Sequence, residues 1–398
     1  MTSKINTYRR NTPVFIRLFT LILLFGFGSL KAQHENRDTV LAGGPVHAAK
    51  EKEIDIAQIA FEHILDTHSW HFWGEGHEAV AIPLPVILKT DNGLVFFMSS
   101  EFHHDIHGTV VVEKNGRKFV NYEDIIYYAS ESPNEEGHYI NSEKNEKGEV
   151  TVLNPAPLDF SITKNVAQLM LSSIALFLIF TSMARAYKKN GITTPPKGTQ
   201  AFLEPLVVFV RDDLAKENIG PNGYKFVPYL LTVFFLILIN NVFGLVPISA
   251  NLTGNIGFTL VLAVFTFVLT TINGKKTYWS HIFTPHAPKA IWPILIPLEI
   301  IGTITKPFAL MIRLFANMTA GHLIVISLIG LIFIFKSVYI APVSIAFALF
   351  IDILEVLVAF LQAYIFVMLT SIFIGSAMEE PHEEDAHHHE GEKVAEAH

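Results

Sequence analysis

From about residue 160 onward the sequence is divided into apolar stretches long enough to cross a bilayer, and this leaves few ways to fold. They run over about 162–187, 226–246, 252–272, 291–335 and 343–374. A spanning helix needs roughly 20 apolar residues. Within hydrocarbon every backbone N–H and C=O must be satisfied by the chain itself, so only helices and closed barrels cross. Stretches of this length read as helices. Only 17% of the 398 residues are charged, against about 25% in an ordinary soluble domain. Between the first two stretches, Phe202, Leu206, Val207, Val210 and Leu214 recur at helical spacing opposite Glu204, Arg211, Asp212, Asp213 and Lys216. That pattern suits an amphipathic helix in the membrane interface.

The first 157 residues differ in kind. Lys4, Arg9, Arg10 and Arg17 precede a short apolar run, 19–30, and Ala32 is a plausible cleavage point. These are the marks of a signal peptide. Residues 51–68 have helical spacing, with Ile56, Ile59, Ala60 and Ile64 on one side. Strand-like runs follow at 80–90 and 94–99 around Asp91-Asn92-Gly93, and at 110–113 and 118–120 around Asn115-Gly116. Both separators are hairpin signals. The expected organisation is a signal peptide (1–32), a small α+β extension (33–157), a membrane domain (158–377) and an acidic His-rich tail (378–398). The fold class is an all-α polytopic membrane protein with five transmembrane helices, the last two long and tilted, one interfacial helix, and the α+β domain in front.

Basic residues set the orientation. Arg185, Lys188, Lys189 and Lys197 follow the first span, and Lys275, Lys276 and Lys289 follow the third. The loop after the second has no charge, and the loop after the fourth only Lys336. Basic loops face the cytoplasm. The extension is then outside the membrane and the tail on the cytoplasmic side. The net charge of −8 is mostly the tail's, and no basic patch points to nucleic acid. With no cysteine, disulfides and thiolate chemistry are excluded.

The polar residues inside the spans carry the function. Glu299, Thr303, Lys306, Arg313 and Asn317 fall on one face of the fourth stretch, and Asp352, Glu355 and Gln362 on one face of the fifth. A charge at membrane depth costs about 2.5–3.5 kcal/mol on insertion scales and marks an ion pathway or a structural pair. For Glu299 and Lys306 the plain alternative is a salt bridge near one membrane surface. Arg313 lies 22 positions past Ile291, with no carboxylate within a turn on its own stretch. Its guanidinium keeps its proton in any protein site. It is a fixed positive charge whose partner must come from elsewhere.

The run Met311-Ile312-Arg313-Leu314-Phe315-Ala316-Asn317-Met318-Thr319-Ala320-Gly321-His322, preceded by Lys306-Pro307, resembles the arginine-bearing helix of subunit a of F-type ATP synthases. Residues 361–370, LQAYIFVMLT, look like the family's last helix. Asn240-Asn241-Val242-Phe243-Gly244-Leu245-Val246-Pro247 and Asn251-Leu252-Thr253 are similar to its second and third spans. The resemblance covers about 158–380 and says nothing of the extension. It implies an ion-translocating stator subunit that gives a rotating ring of c subunits two offset proton half-channels. Arg313 would face the ring as a charge barrier, with Asn317 and Gln362 beside it. His322 and Glu355 would serve the outer route, Glu299 and Lys306 the inner one, and Asp352 lies on the same path. The paired outer positions, Glu then His in well-known bacterial members, are here His then Glu. Ala316 replaces the more usual glycine. The implied partners are c-ring subunits, peripheral-stalk b subunits and the lipid bilayer, and the ion is H+.

The competing class is a secondary transporter or ion channel with an intramembrane arginine. It predicts inverted repeats, and none is visible in the sequence. No phosphate loop or H-E-x-x-H motif is present, so the chain is expected to be a non-catalytic subunit without a nucleotide site or cofactor. His68, His71, His103, His104, His107 and His387–His389 could suggest a metal, but loose spacing is cheap among 18 histidines, and no metal is expected.

Overall fold

The computed structural model describes residues 66–73, 80–134, 137–144, 150–191, 195–246, 249–284, 288, 291–335 and 339–379. The signal peptide, most of the helix expected at 51–68 and the acidic tail lie outside the described residues.

The extension is built of short antiparallel strands: β1 (Ser69–Trp73), β2 (Val80–Pro83), β3 (Pro85–Thr90), β4 (Gly93–Met98), β5 (Val112–Lys114), β6 (Arg117–Tyr122), β7 (Ile125–Tyr128), β8 (Ser142–Lys144), β9 (Val150–Val152) and β10 (Leu158–Asp159). β10, β3 and β4 form one three-stranded sheet and β5, β6 and β7 another, while β1–β2 and β8–β9 are two-stranded. Both expected hairpins form. Asn115 and Gly116 have φ of 52° and 72°, the pair of positive values a type I′ turn requires. The run expected as one strand over 80–90 is two. Pro83 and Pro85 lack the N–H a ladder needs, so β2 pairs with β1 and β3 with β4. Val86, Leu88, Val95 and Phe97 turn inward against Phe102, Val112, Phe119 and Ile126. Each buried side chain contributes about 2 kcal/mol.

The last strand runs into the first span. Phe160 and Ile162 donate to Ile87 O and Pro85 O at 2.7 and 3.1 Å. Helix α1 (Lys164–Asn190) then begins. Its N-cap residue, Thr163, makes no side-chain cap bond to it. Instead the buried Asp66 carboxyl accepts from Asn165 N at 3.0 Å and Thr163 Oγ1 at 2.8 Å, satisfying a backbone donor that the first turn of a helix leaves without an intrahelical partner. Beside it, His68 Nε2 is 2.8 Å from Asp159 Oδ2. Burial works against a charged His68, but the hydrogen bond and charge of Asp159 outweigh it and raise the imidazole's pKa. Burial opposes ionisation of Asp159 too, yet His68 and Ser161 hold its pKa well below the usual carboxylate range. For Asp66 burial wins, and its pKa is raised.

The membrane domain continues with α2 (Thr199–Phe209), extended by wider turns over Val210–Lys216 and a last turn at Glu217–Ile219. Then come α3 (Val227–Gly244), α4 (Ile256–Asn273), α5 (Lys276–Phe283), α6 (Trp292–Phe335) and α7 (Ile340–Ala377). Helices α1, α3, α4, α6 and α7 are long and apolar enough to cross a membrane, and the chain is a polytopic membrane protein. α3 is the central post, with 72% of its apolar window buried, against 11% for α6 and 17% for α7. Those two leave most of their surface to lipid or to partners. In the segment after α2, Val210, Leu214 and Ala215 are buried in the bundle core, whereas Phe202 of α2 stays exposed.

Candidate functional site

α6 and α7 pack side by side, and their contact aligns the polar residues. On α6, Leu310, Met311, Leu314 and Met318 are buried in the bundle. Helical spacing then puts Arg313 and Asn317 on the exposed side. Gln362 of α7 is buried, and its Nε2 donates to the backbone carbonyl of Arg313 at 3.0 Å. Asn241 of α3 donates to Ala359 O at 3.0 Å, tying α7 to the central post one turn away. Among the described residues no carboxylate pairs with the Arg313 guanidinium.

A second group lies further along. Gly321 packs directly on Glu355: a Cβ at Gly321 would overlap its carboxylate. Glu355 and His322, the next residue after Gly321, therefore stand at one level, both half-buried. Glu355 Oε1 and Thr319 Oγ1 are buried without a hydrogen-bond partner among the described residues. Asp352 is exposed one turn from Glu355.

Around the ends of α1, α3 and α4 runs a seam of buried polar side chains that sequence reasoning did not assemble. Asn240 Nδ2 donates to Ser172 Oγ at 3.1 Å, Ser249 Oγ to Gln168 Oε1 at 3.3 Å, and Gly254 N to Asn251 Oδ1 at 2.9 Å. Gln168 Nε2, Asn240 Oδ1, Asn241 Oδ1, Asn251 Nδ2 and Thr253 Oγ1 are buried without partners among the described residues. Buried amides and hydroxyls are costly in apolar surroundings unless they are hydrogen-bonded. Amides inside apolar spans were the available signal, but Gln168 and Ser172 of α1 could be joined to Asn240 of α3 only by folding.

The third group is at the start of α6. Glu299 is half-buried, and Thr303 Oγ1 donates to its backbone carbonyl at 2.9 Å. The salt bridge considered for Glu299 and Lys306 does not form. Seven residues separate them by about 10 Å along the axis, and Lys306 Nζ instead sits 5.8 Å from the Phe373 ring centroid. Thr266, Thr270, Tyr278, Thr303, Lys306 and Ser376 line a small cleft here. Burial raises the Tyr278 phenol's pKa and the nearby Glu299 charge adds to that, against a lowering hydrogen bond with Thr303.

The extension's histidines are used otherwise: His68 on Asp159, and His107 stacked 6.5 Å from His138. Among the described residues no three His or acidic side chains gather as a metal would need.

A family model described as ATP synthase A chain matches residues 167–375, and one described as a domain of unknown function matches 59–160. ATP synthase subunit a of Chloroherpeton thalassium is 50% identical over 236 residues, covering 58% of this chain and 71% of the relative. ATP synthase subunit a of Chlorobium phaeobacteroides is 52% identical over 239 residues, 58% and 69% of the two chains. Its counterpart in an Anaeromyxobacter species is 46% identical over 239 residues, 58% and 57%. The first match takes in more than half of this sequence, from α1 to the end of α7, and includes all three polar groups; the chain belongs to the ATP synthase A chain family.

Proposed function

We propose that this chain is the ion-translocating stator subunit of an F-type ATP synthase and that Arg313 is the fixed charge separating two proton half-channels. One observation carries the reading: Arg313 is presented on the exposed side of α6, pinned at its backbone by Gln362, without an acidic partner among the described residues. An arginine facing lipid there would be costly. A carboxyl on a neighbouring ring of c subunits supplies the missing charge.

Protons enter along the seam of Gln168, Ser172, Asn240, Asn251 and Thr253 and reach His322 and Glu355. They pass to the ring carboxyl, whose neutral form can face lipid, and after nearly a full turn leave past Glu299, Lys306 and the Tyr278 cleft. Asn317 and Gln362 line the ring-facing surface, and Asp352 lies beside the outer route. Arg313 favours the ionised carboxylate and blocks a direct leak. The membrane potential supplies about 2.3 kcal/mol per charge per 100 mV, and ring rotation drives ATP synthesis elsewhere in the complex. In this reading the basic loops face the cytoplasm, the extension, carried past the expected boundary at 157 by β10, is periplasmic after removal of the signal peptide (1–32), the membrane domain runs from α1 to 377, and the tail (378–398) is cytoplasmic. Peripheral-stalk b subunits hold the chain against the ring.

The test is ATP-driven proton pumping by the reconstituted complex carrying Arg313→Ala. Pumping should be lost with the subunit still assembled; retained pumping sinks the reading.

A further inference from the structure

One face of the extension's β10–β3–β4 sheet is apolar and open. Paired residues in an antiparallel sheet share a face. The face carrying Val86, Leu88, Val95 and Phe97 makes the core. The opposite face carries three cross-strand rows: Leu158, Lys89 and Leu94; Phe160, Ile87 and Phe96; Ile162, Pro85 and Met98. Leu94 and Phe96 are 67% and 65% exposed, and Leu158 and Phe160 58% and 50%. Lys89 is the one charged residue in these rows. A sheet with one face in water normally alternates apolar inside and polar outside. Here both faces are apolar, and soluble proteins rarely leave a large contiguous patch of that kind bare.

Position indicates what covers it. Phe160 precedes Lys164, the first residue of α1, by four residues, at most about 13 Å of extended chain. The 27 residues of α1 reach about 40 Å. That exceeds a hydrocarbon core of about 30 Å and nearly equals the bilayer with its headgroup layers. The first turn of α1 therefore lies at headgroup level, with the sheet beside it. The sheet is held there: Ile162 N donates to Pro85 O at 3.1 Å, Lys164 N to Thr67 O at 2.9 Å, and Asp66 caps the helix. Lys89, in the row furthest from α1, can lay its stem on the apolar face and offer its ammonium to phosphate.

We propose that Leu94, Phe96, Leu158 and Phe160 form a membrane-association surface, which seats the extension in the headgroup region of the leaflet at the N-terminal end of α1. The chain has no cysteine, so a single introduced thiol is its one labelling site, provided the other subunits of the complex have their own cysteines replaced. The experiment places a nitroxide at Phe96→Cys, at Leu94→Cys and, as a reference, at the exposed Lys118→Cys. It uses the full chain within its complex, in liposomes of phosphatidylethanolamine and phosphatidylglycerol. Labels at 94 and 96 should meet lipid-soluble O2 severalfold more often than a water-soluble nickel chelate, and the label at 118 the reverse. Nickel access at both sites equal to that at 118 overturns the proposal. Shielding from both probes overturns it too, because protein and not lipid then covers the face. Two positions keep one misfolded variant from deciding, and none touches Arg313, so the outcome is independent of the channel reading.

Discussion

Gln362 donates its side-chain amide to the backbone carbonyl of Arg313 at 3.0 Å, so α6 is tied to α7 at the arginine by a residue 49 positions away. Gln362→Leu keeps the bulk and removes the donor. A lost neutral hydrogen bond costs about 1 kcal/mol, too little to unfold the bundle but enough to loosen the register of α6 on α7. Proton pumping should drop severalfold with normal assembly, and wild-type rates would show that the bond does not position Arg313.

The Gly321–Glu355 contact gives a sharper test. Gly321→Ala places a Cβ where the Glu355 carboxylate lies, whereas Gly302→Ala, on the same helix, meets nothing within 4 Å. The first should slow proton transport strongly and the second should not. Pairing Gly321→Ala with the shorter Glu355→Asp should restore part of the rate. Equal rates for the two alanine variants would mean that Glu355 can move aside at no cost to function.

The junction between extension and α1 should respond to pH. The raised pKa of His68 means its ion pair with Asp159 contributes fully below the ordinary imidazole value of 6.5 and is lost as pH climbs through the raised value. Asp66, also raised, pulls the same way: ionising it without leaving its buried site destabilises the junction at higher pH. Asp159 is lowered, so its share is present above 3.8 and lost only in strong acid. Protease protection of the extension should therefore be greatest near pH 4 and decline as pH climbs through the raised values of Asp66 and His68. Asp159→Asn, which breaks a mostly buried pair, should cost about 3 kcal/mol and flatten the dependence on His68. An unchanged pH profile in that variant would rule the pair out as its source.

Lys306 should couple to Phe373 and not to Glu299. A double-mutant cycle on thermal stability in detergent is expected to give about 0.5–1 kcal/mol for the lysine–ring pair and little for Glu299 with Lys306. The opposite ranking would restore the salt bridge.

Much of this protein was legible in its sequence because lipid imposes simple rules. Backbone bonds must close within each span, so apolar length alone placed all five crossing helices to within a few residues. The Asn115-Gly116 turn was legible for a similar reason, since two successive positive φ values admit few residues. What the sequence could not supply were distances between elements. Glu299 and Lys306 share a helix face, yet the ammonium went to an aromatic ring on another helix. Pro83 and Pro85 divided one expected strand into two. Gln168, Ser172, Asn240 and Asn251 are ordinary polar residues until packing buries them together. The sequence by itself determined which segments enter the bilayer and that one of them carries a permanent positive charge. Tertiary structure decided that Gln362 holds that charge in register, that Glu355 rests on the bare backbone of Gly321, and that the extension is locked to the first span. Periodicity along one chain specifies faces, whereas contacts across helices depend on packing that no local pattern encodes.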